Sequence, residues 1–166
     1  MSDNQRIVFT LMVDNEFGVL TRITALIRRA GWNICSLAVA ETARHEVSRL
    51  TICLECRHHT LEHVLERLGK LDCVLEITMF ESETQVAQEL ALVRVKTTDE
   101  ALLAGILIGC GRKVLNQYSG ETLVAVVGEP AKLDDVLKRL QEIGVADLAR
   151  TGTIALKLPE REGDSE

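Results

Sequence analysis

The stretch that decides the fold is DNEFGVLTRITALIRRAGWNICSLAVA, residues 14–40. Just before it, RIVFTLMV (6–13) is a short apolar run rich in β-branched residues, which predicts a buried strand. From Val19 onward the apolar residues recur at helical spacing until Gly31, which predicts a helix that ends at a glycine. A strand pattern returns in NICSLAVAE (33–41). The stretch therefore predicts a strand, a loop, a helix and a second strand.

The next segments extend this order to βαββαβ. VSRLTICLE (47–55) alternates apolar and polar residues, and the polar turn TARHE joins it to 33–41 as a hairpin. Thr60 is the predicted N-cap of a second amphipathic helix, and CVLEITMF (73–80) is the predicted fourth strand.

The same order of elements recurs in the second half, after the polar run ESETQVAQ (81–88). The patterns predict a strand (89–96), a helix (97–111), a hairpin turning at Ser119-Gly120 (113–128), a helix starting at Pro130 and ending at Gly144, and a final strand (150–158).

We therefore predict an α+β protein of two ferredoxin-like βαββαβ domains. The predicted boundaries are a first domain over 1–80, a linker over 81–88, a second domain over 89–158 and a disordered tail over 159–166. Each domain would leave one sheet face bare and its edge strands unpaired. Because domains this small bury little surface, we expect at least a homodimer.

Composition excludes several classes of protein. A formal net charge of −6 and 3% aromatic residues give neither a basic surface for phosphates nor stacking platforms for bases, so nucleic acid is not expected as a ligand. The apolar runs fall short of the roughly 20 residues of a membrane span. The first residues lack a signal-peptide pattern, which favours the cytoplasm. Five cysteines without secretory context predict reduced thiols.

The loop before the first helix has the chemistry of an anion site. A helix N-terminus presents unpaired main-chain N–H groups and the positive end of the helix dipole, and Gly18 lacks a Cβ that would block a carboxylate. Asn33 would add a carbonyl and an NH₂ group, and Leu20 and Ile34 apolar contacts, which together suit an α-amino acid. The alternative is plain turn chemistry at Gly18 and Asn33, with Asp14 and Asn15 capping the helix.

CLECRHH (53–59) has two cysteines at the spacing of a zinc hook, followed by two histidines. Side chains alternate at the end of a strand and no second pair follows, so we favour core thiols with exposed histidines and predict no metal site. We also find no Ser/His/Asp set or carboxylate pair with convincing spacing, and predict no catalytic residues. Arg49 is interpreted as a subunit contact or as decoration of the open sheet face.

Two segments carry a family resemblance. VDNEFGVLTRITALIRRAGWNICSLAVAET (13–42) followed by SRLTI resembles the N-terminal ACT domain of the small, regulatory subunit of acetolactate synthase. KLDDVLKRLQEIGVADLARTGTIAL (132–156) resembles the second domain of that family, with its A-R-[TS]-G motif. The segment 102–120 departs from the family's pattern.

The resemblance implies a non-catalytic subunit that binds a branched-chain amino acid, typically valine, between paired ACT domains of a homodimer. It implies activation and feedback control of a large catalytic subunit, which would hold thiamine diphosphate, FAD and Mg while this chain holds no cofactor. The implied effector site combines residues of one protomer with residues of its partner. These are Asn15, Gly18, Val19 and Leu20 from one copy, and Asn33 and Ile34 from the other. An ACT-type sensor acting on a different partner remains the alternative.

Overall fold

The structure, a computed structural model, describes residues 5–56, 58–79 and 85–159. The elements, in chain order, are β1 (Gln5–Asp14), α1 (Val19–Arg29), β2 (Asn33–Glu41), β3 (Val47–Cys56), α2 (His58–Gly69), β4 (Val74–Met79), β5 (Gln85–Val95), α3 (Glu100–Ile106), β6 (Gly111–Tyr118), β7 (Glu121–Gly128), α4 (Pro130–Ile143), β8 (Val145–Arg150) and β9 (Ile154–Lys157). They form two compact units. One comprises the chain up to Val86 together with the residues from Ala155 onward, and the other comprises Ala87–Ile154.

The first unit is an antiparallel sheet of strand order β2-β3-β1-β4 with two helices. Alternate residues of the central strands are completely buried, and Phe9 pairs with Ile52 while Leu11 pairs with Leu50. Alternation of side chains sends this row to one face of the sheet, where the apolar stripes of the helices bury it. The strands β2 and β4 are the edges of this sheet.

The second unit repeats the layout, with strand order β6-β7-β5-β8. Its core is built from Ala91, Val93 and Val95 of β5 with apolar residues of β7, α3 and α4. Both units are thus α+β with a βαββαβ layout, which confirms the predicted fold class.

Helix α1 lies where the sequence predicts it. Val19, Ile23 and Ile27, spaced four apart, are its buried residues. Arg28 and Arg29 stand in the last turn, where a cation complements the negative end of the helix dipole.

Helix α3 is shorter than the predicted 97–111. It begins at the N-cap Asp99, whose carboxylate accepts a hydrogen bond from the N–H of Leu102 at 2.9 Å. It ends at Ile106, where the Arg139 guanidinium of α4 takes up the free carbonyl of Ile106 at 3.1 Å. Helix α2 also differs, because it begins at His58, so Thr60 lies inside it and is not the N-cap.

The predicted final strand over 150–158 is confirmed in part, but the strand that completes the sheet beside β5 was not predicted. The strand next to β5 is Val145–Arg150, and Gly152, at φ +78°, ends the extended run in the left-handed region. Of the predicted segment, Arg150 is the last residue of β8 and Ile154–Lys157 forms the separate strand β9. Of the predicted linker, residues 85–88 belong to β5 and the rest lie outside the described residues, as does the predicted tail beyond Pro159.

Candidate functional site

The loop between β1 and α1 exposes a set of main-chain donors. Gly18 is the N-cap of α1 and has φ +85° and ψ −6°, a left-handed conformation that glycine adopts without strain. The N–H groups of Gly18, Leu20 and Thr21 donate to no acceptor among the described residues, and that of Val19 makes only a long contact of 3.4 Å with the Glu16 carbonyl. The loop therefore has several amides free for an acceptor from outside.

The space and charge beside these amides suit an anion. A Cβ built on Gly18 would meet no atom within 4 Å, so the main chain is open to approach on that side. The first turn of α1 contains no acidic side chain that would occupy the positive end of the helix dipole. A carboxylate is the chemical group that this combination favours.

The Asn15 side chain is held between the loop and the β2–β3 hairpin. Its Nδ2 donates to Glu41 Oε1 at 3.1 Å and to the His45 carbonyl at 2.8 Å, and its Oδ1 accepts from Ser48 Oγ at 3.0 Å. The main-chain N–H of Asn15 also donates to the Glu46 carbonyl at 2.8 Å. We call Asn15, Glu41, Ser48 and the His45 carbonyl the hairpin brace.

The apolar side chains around the loop point in different directions. Val19 is buried in the core of the first unit, so only its main chain faces outward. Leu20 is 42% exposed and the neighbouring Phe17 side chain is fully exposed. Leu20 and Phe17 thus offer apolar surface next to the open amides.

Asn33 and Ile34 lie at the other end of the same sheet. Asn33 pairs with Glu55, which in turn pairs with Arg6 near the start of β1, whereas Glu41 pairs with Ser48 at the end where the loop begins. The two ends of β2 are eight residue steps apart, a distance of about 26 Å at about 3.3 Å per residue. Within one chain the structure therefore does not bring Asn33 near Gly18.

Sequence reasoning missed the hairpin brace. Glu41 and Ser48 stand on either side of the TARHE turn, and Ser48 is a buried polar residue at a strand position whose neighbours in the alternation are apolar. A polar residue in that register is a usable signal, because a buried hydroxyl needs a hydrogen-bond partner.

A second polar cluster lies in the other unit. The guanidinium of Arg150 donates from Nε and Nη2 to the two oxygens of Glu89 at 2.7 and 2.8 Å, and from Nη1 to Asp134 at 2.7 Å. Glu89 is 5% exposed, and its hydrogen bond to the guanidinium is the main reason why the pKa of Arg150 is raised. The next residue, Thr151, bonds to both main-chain groups of Leu90. The ARTG segment therefore locks the end of β8 to the middle of β5.

In the described part of the chain no group of three or more His, Cys, Asp or Glu side chains could hold a metal ion, and no helix is long and apolar enough to cross a membrane. Cys53 of the CLECRHH segment is buried, while the side chains of 56–60 lie outside the described residues.

Comparison with known proteins gives matches to both halves. The family model described as an AHAS small subunit-like ACT domain matches residues 9–76, and the model for the small subunit of acetolactate synthase matches residues 88–158.

Similar proteins span nearly the whole chain. An acetolactate synthase small subunit from Mycolicibacterium smegmatis is 31% identical over 151 residues, which cover 89% of this chain and 88% of that protein. One from Aquifex aeolicus is 33% identical over 156 residues, covering 90% and 80% respectively. The crystal structure of the acetolactate synthase small subunit from Thermotoga maritima superposes with a TM-score of 0.83 at 24% identity and covers 95% of this chain and 99% of that one, which supports the fold.

Proposed function

The chain belongs to the family of acetolactate synthase small subunits, the regulatory rather than the catalytic subunits of that enzyme, and from this we propose its function. It binds a branched-chain amino acid, valine in the first place, between two copies of its ACT domain. It activates the thiamine-diphosphate-dependent catalytic subunit and makes that subunit subject to feedback inhibition. FAD, Mg and thiamine diphosphate belong to the catalytic partner.

The observation that carries this proposal is the open set of amides at Gly18. An amino-acid carboxylate at the start of α1 would receive hydrogen bonds from main-chain N–H groups that otherwise have no acceptor among the described residues. The ammonium group needs oxygen acceptors, which Asn15 Oδ1 and Asn33 Oδ1 supply. The apolar side chain of the ligand would rest against Leu20 and Ile34.

The 26 Å between the ends of β2 supports a site shared by two copies. β2 is an edge strand, and two such strands can pair antiparallel across a two-fold axis. With the axis at Leu37, the middle residue of Asn33–Glu41, Asn33 of one copy stands opposite Glu41 of the other. That register brings the partner's Asn33 to the end of the sheet where Gly18 lies, and it sets no like charges against each other.

Regulation then follows from a shift between populations. An effector that contacts both copies binds more tightly to the paired arrangement in which Gly18 and the partner's Asn33 are close together. If the catalytic subunit works at one rate with this paired arrangement and at another rate with the arrangement that the effector binds less tightly, effector binding changes the activity of the catalytic subunit by shifting the population between the two.

Titration calorimetry of the purified protein with valine, leucine and isoleucine tests effector binding. We expect saturable heat with at least valine, at a stoichiometry set by the dimer. An absence of heat with all three amino acids would contradict the proposal.

A matched pair of variants tests the carboxylate assignment. Asp and Asn have nearly the same size and both tolerate the left-handed conformation at position 18, but only Gly18→Asp adds a negative charge. Two unit charges about 5 Å apart repel by about 3 kcal/mol at an effective dielectric constant of 20, roughly a hundredfold in affinity. We expect this difference in valine affinity between the two variants. Full valine inhibition of the enzyme by Gly18→Asp would refute the assignment.

The partner is tested by co-purification. A tagged chain expressed in its own host should bring down a large thiamine-diphosphate enzyme, and the purified catalytic subunit should gain activity when the chain is added. Recovery of a different partner, with no gain in acetolactate synthesis, would favour the alternative of a sensor for another system.

A further inference from the structure

The hairpin brace determines which way the Asn15 amide points. Both N–H bonds of Nδ2 face groups that can only accept, a carboxylate oxygen of Glu41 and the His45 carbonyl. The hydroxyl of Ser48 donates to Oδ1 from the other side. A flipped amide would place oxygen against oxygen at the Glu41 and His45 contacts, so these two contacts favour one orientation, and in that orientation Ser48 donates to Oδ1.

We propose that Glu41 and Ser48 are positioning residues of the effector site, which hold the Asn15 amide so that it offers a ligand an oxygen acceptor and no N–H donor. The inference rests on the proposed function and assigns to Asn15 the ammonium group of the amino acid and not its carboxylate. Oδ1 has two lone pairs, of which Ser48 uses one. The carboxylate is left to the main-chain amides at the start of α1.

The brace also connects the effector loop to the edge strand. Glu41 is the last residue of β2, and Ser48 lies directly opposite it on β3. Ser48 is 7% exposed, so its hydroxyl is committed to a partner inside the protein. Glu41 is also within 3.3 Å of the His45 ring nitrogen, which restrains its carboxylate.

The test compares variants of the full chain by calorimetry with two ligands. Valine carries an ammonium group. 2-Hydroxy-3-methylbutanoate has the same carboxylate and side chain, but a hydroxyl group replaces the ammonium group. Because each hydrogen bond contributes a net amount worth about threefold to tenfold in affinity, Glu41→Ala and Ser48→Ala should each weaken valine binding by about that factor. Binding of the hydroxy acid should weaken less, so the affinity for valine relative to that for the hydroxy acid should fall in both variants.

Matched variants separate orientation from other effects. Glu46→Ala removes a carboxylate from the same turn while leaving the brace intact, since only the main-chain carbonyl of Glu46 contacts Asn15; its valine affinity should stay within about twofold of wild type. Ser48→Thr keeps the hydroxyl and should restore binding. Ser48 lies on β3 and not on the edge strand, so its variants leave the proposed dimer edge unaltered.

Three results would overturn the inference: wild-type valine affinity in both alanine variants, a loss no greater than in Glu46→Ala, or an equal loss for the two ligands. If the wild-type protein binds no amino acid at all, the proposed function fails instead. Hydrogen exchange at the side-chain NH₂ group of Asn15 still tests the brace in that case. Exchange should quicken in Glu41→Ala and Ser48→Ala but not in Glu46→Ala, and an unchanged rate in the first two would overturn the brace.

Discussion

Truncation of Arg150 should destabilise the second unit strongly. Arg150→Ala removes three charge-assisted hydrogen bonds, two to Glu89 and one to Asp134. It leaves the Glu89 carboxylate, which is 5% exposed, without its cation. A buried charge that loses its partner keeps the cost of desolvation and loses the compensating attraction.

The magnitude follows from the burial of the two partners. Removing one member of a buried ion pair costs about 3–5 kcal/mol. The Arg150 side chain is 32% exposed, so water reaches part of the site and we expect about 2–4 kcal/mol. A unit of this size has a total stability of about 3–10 kcal/mol. At about 4–8 °C per kcal/mol for a domain of this size, the variant should lower the melting temperature of the second unit by about 8–30 °C.

The chain offers a probe for each unit. Its single tryptophan, Trp32, packs against the core of the first unit. Urea unfolding followed by circular dichroism reports on both units, whereas Trp32 fluorescence reports on the first. We expect Arg150→Ala to shift the circular dichroism transition and to leave the tryptophan transition in place.

A double variant provides the control. Glu89→Leu combined with Arg150→Met replaces the pair by apolar groups of similar volume, and should recover most of the stability lost in Arg150→Ala. If Arg150→Ala changes the free energy of unfolding by less than about 0.5 kcal/mol, the size that ordinary surface substitutions show, the reasoning from burial is refuted.

Three further changes have defined outcomes. Gly18→Ala should cost about 1–2 kcal/mol in urea unfolding because φ is +85°, although the new Cβ meets no atom within 4 Å; no loss would contradict the left-handed cap. Gly128→Ala places a Cβ at 2.8 Å from Cys110 Sγ and should lower the free energy of unfolding by about 1–3 kcal/mol. If that contact is the cause, the further change Cys110→Ala should recover most of the lost stability. Lys70→Ala should raise the pKa of Glu66 in an NMR titration, because the hydrogen bond from Lys70 lowers this pKa from 4.5. The pKa of Glu66 is lower in the folded state than in the unfolded state, so the stability that the ionised carboxylate contributes is present above pH 4.5. This stability is lost as the pH falls through the pKa of the folded state.

Local patterns in the chain were enough for most elements. Apolar residues at helical spacing, Leu20, Ile23, Ile27 and Ala30, predicted α1. Ile23 and Ile27 are buried, but Leu20 is 42% exposed and Val19 is the buried residue of the first turn instead. Alternation predicted β3, and the polar TARHE turn predicted its hairpin with β2. Strand β8 was missed because VADLAR contains residues that favour strands weakly, and its pairing with β5 across the sheet overrides that preference.

The loop between β1 and α1 was also predictable only in part. The glycine before a helix predicted open amides from local geometry alone, and the assignment of Gly18 and Asn33 to an effector site stays a prediction. The brace was not predictable in this manner, because its bonds join residues 26, 30 and 33 positions apart.

By itself the sequence determined the two successive βαββαβ units and the glycine cap of the first helix, since periodicity and turn chemistry act over a few residues. Only the tertiary structure decided three other things: the orientation of the Asn15 amide, the burial of Glu89 under Arg150, and the separation of Gly18 from Asn33 along the sheet. Each depends on strand register, which brings together residues that no local pattern relates.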